Sequence, residues 1–210
     1  MKVVVYDIEV FPNFFSYTDY DINSKEVKQF YILNDDKSQI IDFVNHYLSI
    51  THSIGFNNCN YDYPILHWFF DQKDITNQSI YNKSQEIIQA EYTAIPYWKE
   101  VNKQCDLYRI HHFSNKAKRT SLKDVEIAIK WPKVQDLPYH YTHIVKESEV
   151  DEILRYNLND VMATYEFYLK SLEQIKLRKD LSRELGLNLT NHDDPKLGSD
   201  IFLNILSKDM

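Results

Sequence analysis

Three short stretches carry residues whose types and spacing could do chemistry. Asp7 and Glu9 close an apolar run, Val3-Val4-Val5-Tyr6, with one residue between them. Strand side chains alternate faces, so both carboxylates point the same way. Two anions side by side at the margin of a core repel each other and lose hydration, a cost that a hard divalent cation such as Mg²⁺ relieves. The alternative, on these residues alone, is a strand that has simply reached water. The second stretch is Gly55-Phe56-Asn57-Asn58-Cys59-Asn60-Tyr61-Asp62-Tyr63-Pro64. A strand gives way there to a polar turn, and Asp62 stands at a helix start, where it could equally be an N-cap. The third is Tyr156-Asn157-Leu158-Asn159-Asp160. A spacing of four puts Tyr156 and Asp160 on one helical face. Aspartate is a mediocre helix former with no helix-end role in mid-helix, which favours a reason beyond structure.

The elements that must hold these stretches follow from periodicity and punctuation. Strands are expected over 2–7, 14–18 and 27–33, with turns at Pro12-Asn13 and Asp21-Ile22-Asn23-Ser24, giving a meander. Ile40, Ile41, Val44, Tyr47 and Leu48 predict a helix over 37–49. A short strand over 53–56 leads into the Asp62 helix, whose apolar face of Ile65, Leu66, Phe69 and Phe70 would pack on the sheet and fix the aspartate. Residues 73–103 are polar and ambiguous, with helical stretches around 79–91. A further strand is expected over 103–110, with His111 and His112 at its end. Ser121 caps a helix that Trp131-Pro132 ends, and 133–147 read as loop. A long helix is predicted from about 149 to 185, with Ser148 as N-cap, Gly186 just past its end, and a continuous apolar stripe at 150, 154, 161, 165, 168, 172 and 175. An amphipathic segment over 200–206 follows. This order gives an α/β domain around a mixed sheet over 1–186, with 187–210 as a tail that begins a following region or serves as a docking segment.

The bulk numbers narrow the function classes. The chain has 210 residues, of which 43% are hydrophobic and 26% charged, so it can bury a substantial core and is neither fibrous nor disordered. Three glycines exclude a glycine-rich phosphate loop. No apolar run reaches the roughly 20 residues of a membrane span, and the N-terminus has no signal-peptide pattern. Cys59 and Cys105 match no zinc or redox spacing, so a reducing cytoplasm is the expected location, that of the host if the protein is viral. The net charge of −7 argues against nucleic-acid binding by a large basic surface, but not against holding a short strand through metal ions. Lys116, Lys118, Arg119 and Lys123 form a basic cluster that is either a strand-tracking patch or a solvated loop.

Taken in order, Asp7-x-Glu9, Asn57-x-x-x-Tyr61-Asp62 and Tyr156-x-x-x-Asp160 resemble the three exonuclease motifs of the DEDD superfamily. The tyrosine four residues before the last aspartate marks its tyrosine branch. The likeness is closest to the proofreading domains of family B DNA polymerases, especially those of phages and archaea. Their second motif reads Gly-aromatic-Asn-x-x-x-Phe-Asp-x-Pro, with Tyr61 standing here for the phenylalanine. Asp106-Leu107-Tyr108 and Ser121-Leu122-x-x-Val125 resemble the stretch between the second and third motifs, so the likeness covers roughly residues 1–170. It implies an RNase H-like mixed five-stranded sheet flanked by helices, and 3′→5′ exonucleolysis of DNA with two divalent ions, Mg²⁺ or Mn²⁺. It implies that Asp7 bridges both ions, that Glu9 and Asp160 complete one metal site, and that Asp62 supports the second through water. Tyr156 would orient the attacking water, while Asn57 and Tyr61 would contact the terminal nucleotides of a single-stranded 3′ end. The implied partner is a DNA polymerase, as a following domain or a separate protein. An RNA exonuclease of the same superfamily and a catalytically silent nucleic-acid-binding module are the alternatives.

Overall fold

The computed structural model describes residues 1–90, 94–113, 115, 117 and 119–208. Alternation along β1 (Val3–Phe11) sets the layers of the fold. Val4, Tyr6, Ile8 and Val10 point into one core, and Val5 into another on the opposite face. The first core is closed by α1 (Ile40–Leu48), α2 (Asp62–Asp71) and α3 (Asn77–Gln89) through Phe43, Tyr47, Leu66, Phe69 and Ile80. The second is closed by α4 (Leu107–Ile110), α5 (Leu122–Ala128), α6 (Val150–Lys170) and α7 (Leu172–Leu185), through Leu107, Val125, Val161, Phe167 and Ile175. A further helix, α8 (Asp194–Lys208), follows.

Between these layers lies a five-stranded mixed sheet of order β3-β2-β1-β4-β5, completed by β2 (Phe14–Asp21), β3 (Val27–Leu33), β4 (His52–Gly55) and β5 (Lys103–Asp106). The first three strands form the expected antiparallel meander, and β4 and β5 run parallel to β1. This is the α/β, RNase H-like arrangement the sequence led us to expect. No helix among the described residues is long and apolar enough to cross a membrane.

Several local expectations need correction. β1 runs to Phe11 rather than stopping at residue 7, because its pairing with β2 continues to Phe11 opposite Phe14. The strand expected over 103–110 stops at Asp106, whose carboxylate accepts the Tyr108 N–H and starts the short helix α4. His111 and His112 therefore close a helix, not a strand. In α1 the core residues are Phe43 and Tyr47, whereas Ile41 and Leu48 are 72% and 61% exposed. α8 extends well beyond the expected 200–206.

The predicted long helix is two helices. The Ser171 N–H bonds the Tyr168 carbonyl three residues back, and its buried hydroxyl donates to the Phe167 carbonyl, tightening the chain between α6 and α7. The stripe is broken accordingly, since Leu172 is exposed. Ser148 does not cap α6; residues Glu147–Glu149 form a 3₁₀ turn, with the Glu149 carboxylate accepting the Lys146 N–H. Gly186 does end α7, in the left-handed conformation that suits a glycine C-cap.

Candidate active site

β1 is longer than its parallel neighbour. It pairs with β4 only through Val3, Val4 and Val5, while on its other side it stays bonded to β2, with Asp7 opposite Thr18 and Glu9 opposite Ser16. The two carboxylates thus lie inside a strand, not at its end as expected; it is β4 that ends. Crevices outside the carboxyl ends of parallel strands, where the connectivity reverses, are the recurrent ligand sites of α/β sheets.

β4 stops where Gly55 lets the chain fold back on itself. A Cβ at Gly55 would come within 2.6 Å of the Asn58 Cβ, so the turn needs a glycine. Asn57 follows at φ 62°, a left-handed conformation that asparagine tolerates. Asp106, at the end of β5 and fully buried, holds this turn. Its carboxylate accepts the Asn57 N–H at 2.9 Å and the Cys59 N–H at 3.2 Å, besides that of Tyr108 at 3.0 Å. Beneath the turn, Gln104 Oε1 accepts both the Tyr6 hydroxyl and the Asn58 amide, a buried polar support for the same loop.

The turn delivers Asp62 to the first position of α2, after Tyr61, which makes no side-chain cap bond. Asp62 is 5% exposed and accepts the N–H of Ile8, on the side of β1 that β4 leaves unpaired. From the other face, α6 crosses β1 and brings Asp160, Tyr156 and Asn157. One carboxylate oxygen each from Asp7, Glu9 and Asp160 lies within 4.8 Å of the others. All four carboxylates, with Asn57 and Tyr61, line one cleft of about 540 Å³. Asn57 Oδ1 accepts the Asn60 amide at 2.7 Å, and the Tyr61 hydroxyl meets Ser84 Oγ at 2.7 Å, so both side chains are fixed at the cleft wall.

Electrostatics in the cleft are those of crowded, dehydrated anions. Burial, followed by the charges of Asp62, Glu9 and Asp160, holds the Asp7 carboxyl well above the usual carboxylate range. Glu9 is raised for the same reasons, with Asp160 and Asp62 as its charged neighbours. Burial pushes Asp62 up to about 7 and Asp160 up to about 7, the latter against the opposing pull of the Tyr156 hydroxyl. Tyr156 itself is raised by burial and by the charge of Asp160, so its hydroxyl keeps its proton.

These shifts make stability pH-dependent. The folded carboxyls of Asp62 and Asp160 hold protons to higher pH than unfolded ones, so their contribution is full below the ordinary carboxylate range. It is lost as pH climbs through about 7. In cation-free buffer, urea midpoints are expected to fall between pH 5 and pH 8, and to fall less in Asp62→Asn. An equal fall in the variant would show that Asp62 does not carry this term.

No family model matches this chain, and no curated protein matches it in sequence. The geometry alone therefore has to decide what the cleft can do. Its donors are carboxylate oxygens, the hard ligand type that divalent cations such as Mg²⁺ take, and one from each of Asp7, Glu9 and Asp160 lies within 4.8 Å of the others.

Some residues that shape the cleft carried no assigned role in the sequence. Asn157, fully buried, donates its amide to Asp7 Oδ2 at 2.6 Å. Its place in mid-helix beside the Tyr156–Asp160 pair was the available signal. Asp106 is the second, and the third is a relay behind Asp160. There the Trp131 indole donates to Asn159 Oδ1 at 2.9 Å, and buried Glu126 lies beside Asn159. Of the basic cluster, Lys116 and Lys118 lie outside the described residues, Arg119 lines the cleft, and Lys123 is paired with Asp136.

Proposed function

We propose that this protein is a metal-dependent 3′→5′ exonuclease of the DEDD tyrosine branch, acting on single-stranded DNA ends in phage-type proofreading. The observation that carries the reading is the meeting of Asp7, Glu9 and Asp160 from β1 and α6, with Asp62 from α2, in one cleft. Three motifs separated by up to about 150 residues of chain contribute to it, in the order the resemblance requires.

Asp7, Glu9 and Asp160 would hold one divalent ion, and Asp7 with Asp62 a second. When bound, two Mg²⁺ or Mn²⁺ ions supply an activated water and charge stabilisation at the leaving 3′ oxygen. The chain's own residues do the rest. Asn157 fixes one Asp7 oxygen, leaving the other for the cleft. The Tyr156 hydroxyl, one turn before Asp160 and protonated, positions the attacking water as a donor or acceptor without acting as the base. Asn57 and Tyr61 line the wall against which the terminal nucleotide would lie. The carboxylates of the cleft favour an unpaired end, since a duplex end would have to bring a second phosphate chain past them.

The direct test is digestion of 3′-labelled single-stranded DNA, duplex DNA and RNA with Mg²⁺, Mn²⁺ or EDTA. Release of nucleotides from the DNA 3′ end, lost in EDTA, is expected. Equal or faster digestion of RNA would replace the DNA reading with the RNA one, and no digestion by the wild-type chain would leave a silent binding module. Tyr156→Phe is expected to lower turnover by about a hundredfold while leaving the metal concentration for half-activity unchanged. A matching loss of metal affinity would remove its assigned role.

A further inference from the structure

A large cavity lies at the opposite end of the sheet from the acidic cleft. It holds about 1150 Å³ and is bordered by the first residues of all three parallel strands, Val3, His52 and Lys103. Its floor is the open end of the second core, made by Val3, Ile54, Tyr168 and Ile175. Its rim is cationic. Lys103 comes from β5, and Lys179 and Arg183 stand one turn apart on α7. Neither lysine is in a salt bridge among the described residues, and burial, followed by the charges of Lys103 and Lys179, disfavours protonation of His52. Glu100 is the only carboxylate among the described lining residues, and burial pushes it up to about 7, so it offsets part of this charge. Arg183 is paired with Asp180, which leaves Lys103 and Lys179 as the rim's main cations.

An apolar floor under convergent cations, in a chain of net charge −7, is a local reversal of sign that folding does not require. Small-ligand sites combine a mostly apolar cavity with a few placed polar groups, and this cavity is large enough for a molecule of two or three rings. We infer that this cavity is a second binding site, for a small organic anion whose flat apolar body covers Ile54, Tyr168 and Ile175 while its phosphate or carboxylate head sits between Lys103 and Lys179. The site lies outside the carboxylate cleft, at the amino ends of the strands rather than their carboxyl ends, and it stands whether or not the chain is a nuclease.

Binding of naphthyl phosphate, naphthoate, naphthol and inorganic phosphate to the full chain, measured by calorimetry in EDTA, tests it. Both naphthyl anions are expected to bind saturably, and naphthol and inorganic phosphate at least about tenfold more weakly, because each lacks one half of the recognised chemistry. Lys103→Glu with Lys179→Glu is expected to weaken the anions by about tenfold or more, and Lys103→Arg with Lys179→Arg to restore them. Asp7→Ala, in the other cleft, is expected to change nothing. Undiminished binding in the glutamate pair, a loss in Asp7→Ala, binding of inorganic phosphate as tight as that of the naphthyl anions, or no saturable binding at all would each overturn the inference.

Discussion

Asp7→Ala is expected to cut the release of 3′-terminal nucleotides by about a thousandfold or more while changing the protein's stability by less than about 2 kcal/mol. The activity loss follows from position. Asp7 is the one carboxylate that both proposed ion sites share, and the loss of several kcal/mol of transition-state stabilisation corresponds to that factor. The small stability change follows from two opposed effects: the buried Asn157 amide loses its acceptor, while the repulsion that holds the Asp7 carboxyl above the ordinary range, through burial and the charges of Asp62, Glu9 and Asp160, disappears. Removing it relieves the other three. Asp160→Ala should behave alike. Labelled-strand digestion and a thermal melt, run on the same preparations, check both halves. A variant that loses activity together with its fold would show that Asp7 is structural.

Asp106→Ala is expected to do the reverse, destabilising the chain by about 3–5 kcal/mol in urea titrations and lowering activity only as a consequence. Asp106 is an aspartate like Asp7 and more deeply buried, yet its oxygens are spent on the N–H groups of Asn57, Cys59 and Tyr108. Each buried donor left without a partner costs about 1–3 kcal/mol. Burial raises Asp106 to about 6, against the opposing charge of Arg109 and those three N–H groups. Asp106→Asn keeps an acceptor oxygen for the turn and is expected to retain much of the stability that alanine loses. If alanine costs less than about 1 kcal/mol, the turn before Asp62 is held by something else.

These two aspartates show what could be read from the chain and what could not. The i, i+2 spacing of Asp7 and Glu9 fixes their shared face from strand geometry alone, and the i, i+4 spacing of Tyr156 and Asp160 does the same for a helix. Local rules therefore reached the direction of each side chain. That Asp7, Asp62 and Asp160 belong together came from the order of the motifs, and all three line one cleft. Asp106 looks like any strand-end residue, because its meaning lies in a turn 49 residues away. Asn157 owes its role to a strand 150 residues away. The break at Ser171 was hidden because apolar residues recur on both sides of it, and nothing local shows that the serine turns inward to the Phe167 carbonyl. α6 also defeats a purely apolar stripe, since Asn157, Asn159 and Thr164 are buried among its core residues.

The shortness of β4 has a wider consequence. Because it ends at Gly55, the Ile8 amide is left to bind Asp62 instead of a neighbouring strand. The cleft therefore depends on chain length as much as on residue type. An insertion that carried β4 two residues further along β1 would consume that amide, seal the edge and evict Asp62, with every acidic residue still in the sequence. Under the proposed function, such an insertion would extinguish activity and its deletion would restore it. A count of intact motif residues would miss the event entirely.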